Sequence, residues 1–531
     1  MLKAKLKDLP ITKLIFILCF LVFLVYANML FNDFIWDDIF QVVDNSLIRN
    51  LTSIPLLFKG GTFEDGRELL EGVYYKPLMV FSFMINFLFW KGQVFGFHLF
   101  QLIVHLGNTI LVFLILKALF EKEKVEGGQP IAFVTSLIFG IHPGIAEAVV
   151  YISATQDVLF AFFCLLALWL IVKKNRYALW LLGPLFFFSL LSKEAAITGG
   201  GVVLLYFLFF ERNNLIKGLI TLGLSFGAYL YLKIGIAQIP LFGYLPSSPI
   251  AEASLETRFL TMPWIFFSYL RIIFWPKVLA TAQDFIVKEI NFEFFWLPLI
   301  ISLLFLVSLL TWGLKKGSKL FWFFVCWFLG SISLYLNLIP LDMTLAERWL
   351  YFPLIGLLGA LSLLVIEIIK RNKKREKFVY WFLVVVLLLL GVRTVKRNSD
   401  WQNPIKLYRH DLIYSKNSYD LEVNLGVEYL MRGNLDEAMP HFERAKEVEP
   451  INWSIYNVLG FAWYQKGDLE KAENLLLQSI EIKPTWQGYK HLAQVYISQG
   501  KKEKAIMVLE EAIILFPRND DLRIMLGELG E

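Results

Sequence analysis

Apolar stretches of roughly twenty residues recur along the chain up to residue 395, with polar residues between them. Because the hydrocarbon core of a bilayer is about 30 Å thick, a helix needs roughly 20 apolar residues to cross it. The pattern therefore predicts an all-α, polytopic membrane bundle of about eleven transmembrane helices. The predicted spans are 11–30, 95–119, 131–149, 154–172, 177–193, 195–210, 216–235, 293–313, 319–338, 346–369 and 378–395.

Two further apolar segments fit a span poorly. Segment 77–90 has only 14 residues and carries polar side chains, and segment 258–276 is interrupted by Pro263 and Arg271. We predict that both form helices that lie in the membrane interface instead of crossing the bilayer.

The basic residues predict the orientation of the chain, because cytoplasmic loops of membrane proteins carry an excess of Lys and Arg. With both ambiguous helices kept outside, the cytoplasmic side receives most basic residues, including Lys3, Lys5, Lys7 and the cluster at 370–377. The N-terminus is then cytoplasmic. The loops 31–94 and 236–292, together with everything after residue 396, are predicted to be extracytoplasmic.

The composition agrees with a membrane protein, since 57% of the residues are hydrophobic and only 18% are charged. The three cysteines, Cys19, Cys164 and Cys326, all lie within apolar runs. No disulfide framework is therefore predicted for an extracytoplasmic loop.

From about residue 400 the pattern changes to a repeat of 34 residues. The repeated positions are Leu425, Gly426, Tyr429, Ala438, Phe442, Ala445 and Pro450, then Leu459, Gly460, Trp463, Ala472, Leu476 and Pro484, then Leu492, Ala493, Tyr496, Ala505, Leu509, Ala512 and Pro517. This register resembles the tetratricopeptide family. It predicts a transmembrane domain over 1–396, a connector over 397–418, and an α-solenoid of three repeats plus a capping helix over 419–531. Such arrays present a concave face to a peptide or protein partner.

Ionisable residues next to the spans are costly unless they are paired or hydrated, so they are candidates for function. We predict that they line one cavity at membrane level, open to the outside; the alternative is that each is an interfacial anchor. The candidates are Asp37, Asp38, Lys76, His142, Glu147, Asp157, Lys193, Glu194, Glu347 and Arg348. His98 and His105 lie on one helix face and are predicted to be interhelical hydrogen-bond partners instead of metal ligands.

Other motifs argue against nucleotide and zinc chemistry. The sequence has no Walker loop, no dinucleotide-binding glycine fingerprint and no CxxC pair, and HPGIAE lacks the HExxH spacing. Nothing indicates a nucleic-acid partner.

Five motifs and the repeats carry a resemblance to a known family. In order along the chain they read FIWDDIFQVVDNSLIRN, YYKPLMVFSFMINFLFWKGQVFGFHLFQLIVHLGN, HPGIAEAVVYIS, LLSKEAAIT and AERWLYFPLIG. Together they resemble the transmembrane and tetratricopeptide repeat-containing proteins, glycosyltransferases of the GT-C superfamily. The resemblance implies a reaction like that of protein O-mannosyltransferases, in which a sugar moves from a polyprenyl phosphate to an extracytoplasmic hydroxyl.

The resemblance also implies that an acidic pair in the first outer loop is catalytic, and this pair maps onto Asp37 and Asp38. One aspartate would accept the proton of the acceptor hydroxyl. Either could instead hold a divalent cation such as Mg²⁺ or Mn²⁺, and the sequence does not choose between these roles. The sequence departs from the family at Thr155, where relatives commonly carry an arginine.

The departing phosphate needs cations. We expect Arg348, then Lys193, Lys76 and His142, to bind it, with Glu147, Asp157, Glu194 and Glu347 as supporting polar residues. The first hypothesis is thus an inverting, polyprenyl-phosphate-dependent transferase that acts on a protein or glycan. The alternative is a non-catalytic membrane scaffold whose repeats assemble an envelope complex. A transporter is disfavoured because the spans show no internal duplication.

Overall fold

A computed structural model describes residues 9–62, 74–241, 248–281, 283–517 and 519–530. Within these ranges the regular structure is helical and contains no strand, apart from one isolated bridge between Gln283 and Leu345. The predicted all-α class is therefore confirmed. The chain divides into two compact units, the first ending at Gln402 and the second beginning at Asn403.

The first unit is a bundle of apolar helices. Its α-helices are Ile11–Tyr26, Pro77–Trp90, Val94–Lys122, Gly128–Gly140, Ala146–Val150, Thr155–Val172, Ala178–Ser192, Ala196–Phe210, Leu215–Leu230, Pro249–Glu252, Leu255–Phe274, Leu297–Lys316, Lys319–Ile332, Tyr351–Arg371 and Glu376–Asp400. Seven helical segments of the described chain are long and apolar enough to cross a membrane, and a bent pair makes up to eight. The protein is a multi-pass membrane protein.

Three predicted spans are shorter than expected. The corresponding helices, Ala178–Ser192, Ala196–Phe210 and Lys319–Tyr335, are apolar but have at most 17 residues. A helix of 17 residues rises about 25 Å, so these segments reach the lower limit of what covers a bilayer core.

The predicted span 131–149 is not one straight helix, because the structure breaks it. Helices Gly128–Gly140 and Pro143–Val150 meet at a bend of 53°. Pro143 has no N–H to continue the first helix, so it starts a new turn. The His142 side chain caps that turn by accepting the Gly144 N–H, with 3.1 Å between the nitrogens.

Burial separates central helices from peripheral ones. In the most apolar part of Ile152–Val172, 78% of the residues are buried inside the protein, and in that of Glu347–Arg371, 72% are buried. The corresponding share in Phe292–Lys316 is 17%. The first two helices form the centre of the bundle, and the third presents apolar side chains outward, as a lipid-facing helix does.

Polar contacts between helices confirm the role predicted for His105, whereas His98 bonds a loop residue. His105 Nε2 lies 2.9 Å from the Gly140 carbonyl oxygen and Nδ1 lies 2.8 Å from the Tyr351 hydroxyl. His98 Nε2 lies 3.2 Å from the Asn32 carbonyl oxygen. Each imidazole therefore joins separate segments of the bundle.

The two segments predicted to lie in the interface are both helical. Pro77–Trp90 is a short apolar helix, and Leu255–Phe274 does not belong to the candidate spans. Their depth in the membrane stays a prediction. The predicted cytoplasmic residues Lys3, Lys5 and Lys7 lie outside the described residues.

The second unit is the predicted tetratricopeptide solenoid, which is confirmed. Its helices are Pro404–Leu412, Tyr419–Met431, Leu435–Val448, Trp453–Lys466, Leu469–Ile482, Trp486–Ser498, Lys502–Leu515 and Asp520–Gly530. Small residues allow the paired helices to pack closely. A Cβ on Gly426 would lie 2.5 Å from the Phe442 ring, and one on Gly460 would lie 2.7 Å from Leu476.

Candidate functional site

The acidic pair lies on a loop that follows the first helix. Trp36 adopts a left-handed backbone conformation with φ of 58°. The Asp38 carboxylate closes the turn by accepting the Ile35 N–H at 3.0 Å through Oδ2. Oδ1 accepts the Ser153 N–H at 2.8 Å and the Ser153 hydroxyl at 2.6 Å. Asp38 is only 2% exposed, so its carboxylate anchors the loop to a distant segment of the chain.

Asp37 points elsewhere and is half-buried. Its N–H donates to the Tyr151 hydroxyl at 3.3 Å, and the Tyr151 side chain also hydrogen-bonds the Asp37 carboxylate. Arg348 and Lys76 lie within electrostatic range of this carboxylate. One acid of the pair therefore interacts electrostatically with two of the predicted cations.

Burial dominates the electrostatics of both acids. It raises the pKa of Asp37 above its ordinary value, although Tyr151, Arg348 and Lys76 act in the opposite direction. Burial also raises the pKa of Asp38, to about 7, against the hydrogen bonds from Ser153 and Ile35. A raised pKa makes the charged carboxylate a stronger proton acceptor than an ordinary aspartate.

A cavity of about 400 Å³, which we call the charged cavity, gathers the cations. Four cationic side chains line it, against two carboxylates: Lys76, Lys193, Lys233 and Arg348 face Glu194 and Asp342. Cationic side chains at the wall are suited to bind an anionic group.

Two of these charged residues, Lys233 and Asp342, were not among the candidates predicted from the sequence. Lys233 lies within the predicted span 216–235, where a lone lysine among apolar residues was the available signal. Asp342 lies in a loop between helices, and nothing in its sequence neighbourhood distinguishes it from other loop acids.

Two buried acids hold cations of the charged cavity. Arg348 forms an ion pair with Glu147 and also donates its N–H to Glu147 Oε2 at 3.1 Å. The Lys193 Nζ lies 2.6 Å from Asp157 Oδ1. Glu147 and Asp157 do not line the cavity themselves, so they fix the two cations in place.

Glu194 accepts three hydrogen bonds at the wall of the charged cavity. Its Oε1 accepts hydrogen bonds from Lys233 Nζ at 3.2 Å, the Tyr229 hydroxyl at 3.0 Å and the Tyr75 N–H at 3.4 Å. Lys76 stands over the Tyr74 ring, with Nζ 4.1 Å from the centroid. Charged groups from several distant segments therefore converge on one space.

Besides Glu147 and Asp157, four predicted site residues do not line the charged cavity: Asp37, Asp38, His142 and Glu347. The prediction that all the candidates line one cavity is corrected in this respect. Both ring nitrogens of His142 serve the backbone, because Nδ1 accepts the Gly144 N–H and Nε2 lies 3.0 Å from the Ile273 carbonyl oxygen. The expectation that His142 binds phosphate is therefore corrected. Glu347 is fully buried and pairs with Arg397 at 3.4 Å.

A second, apolar cavity of about 660 Å³ adjoins the charged cavity. The two share Ile197, Leu334 and Ile339 in their walls. The apolar cavity lies between helices Ala196–Phe210 and Lys319–Ile332, whose side chains line it together with small residues such as Gly201. A cavity with charged side chains in its wall therefore adjoins one whose lining has none and which is large enough for part of a hydrocarbon chain.

The acidic pair offers a poor set of metal ligands. Among the residues that the structure describes, no three His, Cys, Asp or Glu side chains are grouped to hold a metal ion. Both Asp38 oxygens already accept hydrogen bonds from the protein. A divalent cation such as Mg²⁺ or Mn²⁺ at the pair stays a prediction, and no step below is assigned to a metal.

Comparison with known proteins finds tetratricopeptide repeat models over residues 454–483 and 487–519. The chain is 25% identical over 440 residues to a protein O-mannosyl-transferase of Caenorhabditis elegans, covering 80% of this chain and 61% of that protein. It is 23% identical over 580 residues to the human protein O-mannosyl-transferase TMTC3, covering 95% and 60%. Over 160 residues it is 32% identical to human TMTC1, covering 29% and 17%. The chain spans about three fifths of the length of the first two relatives. It is a homologue of the transmembrane and tetratricopeptide repeat-containing protein O-mannosyl-transferases.

Proposed function

We propose that this chain is a membrane glycosyltransferase that moves a mannosyl group from a polyprenyl-phosphate donor to a hydroxyl of a protein. The names of its relatives support the sugar and the protein acceptor. The single observation that carries the proposal is the half-buried Asp37 carboxylate within electrostatic range of Arg348 and Lys76, two cations of the charged cavity.

The pair of adjoining cavities supports a lipid-linked donor. An anionic headgroup fits beside the four cations, and the first part of a hydrocarbon chain fits the apolar cavity across Ile197 and Ile339. A water-soluble sugar nucleotide would leave the apolar cavity unused. The donor phosphate would lie against Arg348, Lys193, Lys76 and Lys233.

The acceptor hydroxyl oxygen attacks the anomeric carbon of the sugar and forms the new carbon–oxygen bond. Asp37 takes the hydroxyl proton as that bond forms. The bond between the anomeric carbon and the phosphate oxygen breaks, and the phosphate leaves with the electron pair. One displacement inverts the anomeric configuration. Asp38 holds the loop that carries Asp37, and the cations stabilise the charge on the departing phosphate.

The repeat unit would bind the protein acceptor, since tetratricopeptide arrays bind peptides and proteins along their concave face. The positive-inside assignment places the loop with Asp37 and the repeat unit on the extracytoplasmic side, where both could meet the same acceptor.

The alternative is a membrane scaffold without catalysis. In that case the activity named for the relatives would not apply to this chain. Mass spectrometry of mannosylated proteins tests the choice in cells that express the wild-type chain, Asp37→Asn, Asp44→Asn or no chain. Asp44 is an exposed acid of the same loop and serves as the matched control. An enzyme predicts that mannosylation is lost with Asp37→Asn and kept with Asp44→Asn. Equal mannosylation with Asp37→Asn at equal abundance would support the scaffold.

A further inference from the structure

The segment 397–402 ends the last membrane helix and directly precedes the repeat unit. It contacts the loop that carries the acidic pair at two points. Asn32 Nδ2 donates to the Asn398 carbonyl oxygen at 3.1 Å, and the Asp33 N–H donates to the Gln402 carbonyl oxygen at 3.0 Å. The loop is therefore attached to this segment, although more than 360 residues separate them in sequence.

Trp401 forms the third contact of this segment with the site. It is only 1% exposed, and its indole packs on the Tyr151 ring with the centroids 5.3 Å apart and the planes at 31°. The Arg397 guanidinium lies 5.7 Å from the indole centroid. Arg397 is itself fully buried and held by Glu347, so the indole has little freedom to move.

Tyr151 connects the packed Trp401 indole to Asp37. Its hydroxyl accepts the Asp37 N–H and its side chain hydrogen-bonds the Asp37 carboxylate. A phenol has only two side-chain torsions, so a packed ring fixes where its hydroxyl points. The ring of Trp401, the ring of Tyr151 and the carboxylate of Asp37 form one continuous chain of contacts.

We propose that Trp401 is a positioning residue, which fixes the Tyr151 ring and thereby holds the Asp37 carboxylate in the orientation that accepts the acceptor proton. The inference rests on the proposed function and goes beyond it, because it makes the segment preceding the repeat unit part of the support of the active site. A catalytic group displaced by about 1 Å loses on the order of 100-fold in rate, so a loosened Tyr151 should slow the reaction.

The hydrogen bond from Tyr151 also stabilises the charged form of Asp37 and so lowers its pKa. If Tyr151 loses its support, the pKa of Asp37 rises. The base is then protonated at higher pH, and the acidic side of the pH–rate profile moves toward higher pH. A residue that only contributed to stability would leave this profile in place.

The test uses the full chain in lipid nanodiscs, with radiolabelled mannosyl phosphate on a polyprenyl chain and a protein acceptor. It compares Trp401→Leu, Trp401→Phe and Trp312→Leu. Trp312 is a half-buried tryptophan packed on Phe321 in another part of the bundle, and it controls for loss of an indole. Trp401→Leu should lower kcat by about 10- to 100-fold, leave the donor KM unchanged and move the acidic limb to higher pH. Trp401→Phe should restore most of the rate, and Trp312→Leu should resemble the wild type.

Tyr151→Phe provides a second test, because it keeps the packed ring and removes only the hydroxyl. It should also move the acidic limb to higher pH, and it remains informative if Trp401→Leu does not fold. The inference would be overturned by a wild-type kcat and pH profile in folded Trp401→Leu, or by a wild-type pH profile in Tyr151→Phe. An inactive Asp37→Asn would still support the proposed function in that case. Full activity of Asp37→Asn would overturn the proposed function and the inference with it.

Discussion

The Ser153 hydroxyl donates a hydrogen bond of 2.6 Å to Asp38 Oδ1, and the Ser153 N–H donates a second one of 2.8 Å to the same oxygen. These bonds join two segments that lie 115 residues apart in the sequence. They divide the acidic pair into an anchored carboxylate, Asp38, and a neighbour, Asp37, that lies within electrostatic range of Arg348 and Lys76.

Replacing Ser153 by alanine should loosen this anchor. The substitution removes one hydrogen bond to a buried carboxylate, which is worth about 1.5–3 kcal/mol. We expect a loss of unfolding free energy of that size and a slower transfer, both measured on protein in detergent. Ser192→Ala is the matched control, since among the described residues that buried hydroxyl bonds only the Phe188 carbonyl oxygen of its own helix. Equal stability and activity of the two variants would contradict the anchoring role.

The raised pKa values of the two acids predict a pH dependence of catalysis. Burial raises the pKa of Asp37 and raises that of Asp38 to about 7. The base Asp37 works only in its charged form, so the single-turnover rate should fall, as the pH is lowered, at a higher pH than it would for a water-exposed aspartate. A water-exposed aspartate would keep its charge down to about pH 4. A rate that stays constant from pH 8 to pH 5 would show that the acid in use is not buried.

Lys76 should contribute to donor binding. Lys76→Met keeps most of the side-chain volume and removes the charge, which should raise the donor KM by about 10- to 100-fold if one charge-assisted hydrogen bond is lost. Burial lowers the pKa of Lys76 to about 8, so the wild-type donor KM should also rise above about pH 8 as the amine loses its proton. Lys59→Met, at an exposed lysine of the same loop, is the control. An unchanged donor KM in Lys76→Met would remove this residue from the phosphate site.

Arg348 should serve both folding and donor binding, and a double variant separates the two. Arg348→Met leaves the buried Glu147 carboxylate without its partner, which should destabilise the protein by about 3–5 kcal/mol. Adding Glu147→Gln removes the stranded charge and should recover much of that stability, as measured by chemical unfolding. Donor use should stay impaired in the double variant. Recovery of donor affinity along with stability would show that Arg348 is only a structural residue.

The repeat unit was the part most fully predictable from sequence. The 34-residue register is visible because each repeat needs the same small residue at the same close contact, as Gly426 does against Phe442 and Gly460 against Leu476. The apolar runs likewise predict the membrane helices. They do not reveal the break before Pro143, because the helices on both sides of it are apolar.

The site was predictable only in part. Two adjacent acids after an apolar span indicate a special position, but the residues alone do not say which one faces inward. The orientation of the two acids depends on Ser153, which bonds Asp38 although the two residues lie 115 positions apart in the sequence. Lys233 resembles an interfacial anchor until Glu194 and Tyr229 are seen around it. His142 resembled a ligand because its role in capping the turn at Gly144 depends on local backbone geometry.

The most direct test of the central claim measures single-turnover transfer from a radiolabelled polyprenyl-phosphate mannose to a protein acceptor. The full chain, Asp37→Asn and Asp44→Asn are compared at equal abundance. Removal of a general base should slow the transfer by about 100- to 10,000-fold in Asp37→Asn, with the wild-type rate kept in Asp44→Asn. A wild-type rate in Asp37→Asn would contradict the assignment of this carboxylate as the group that accepts the proton.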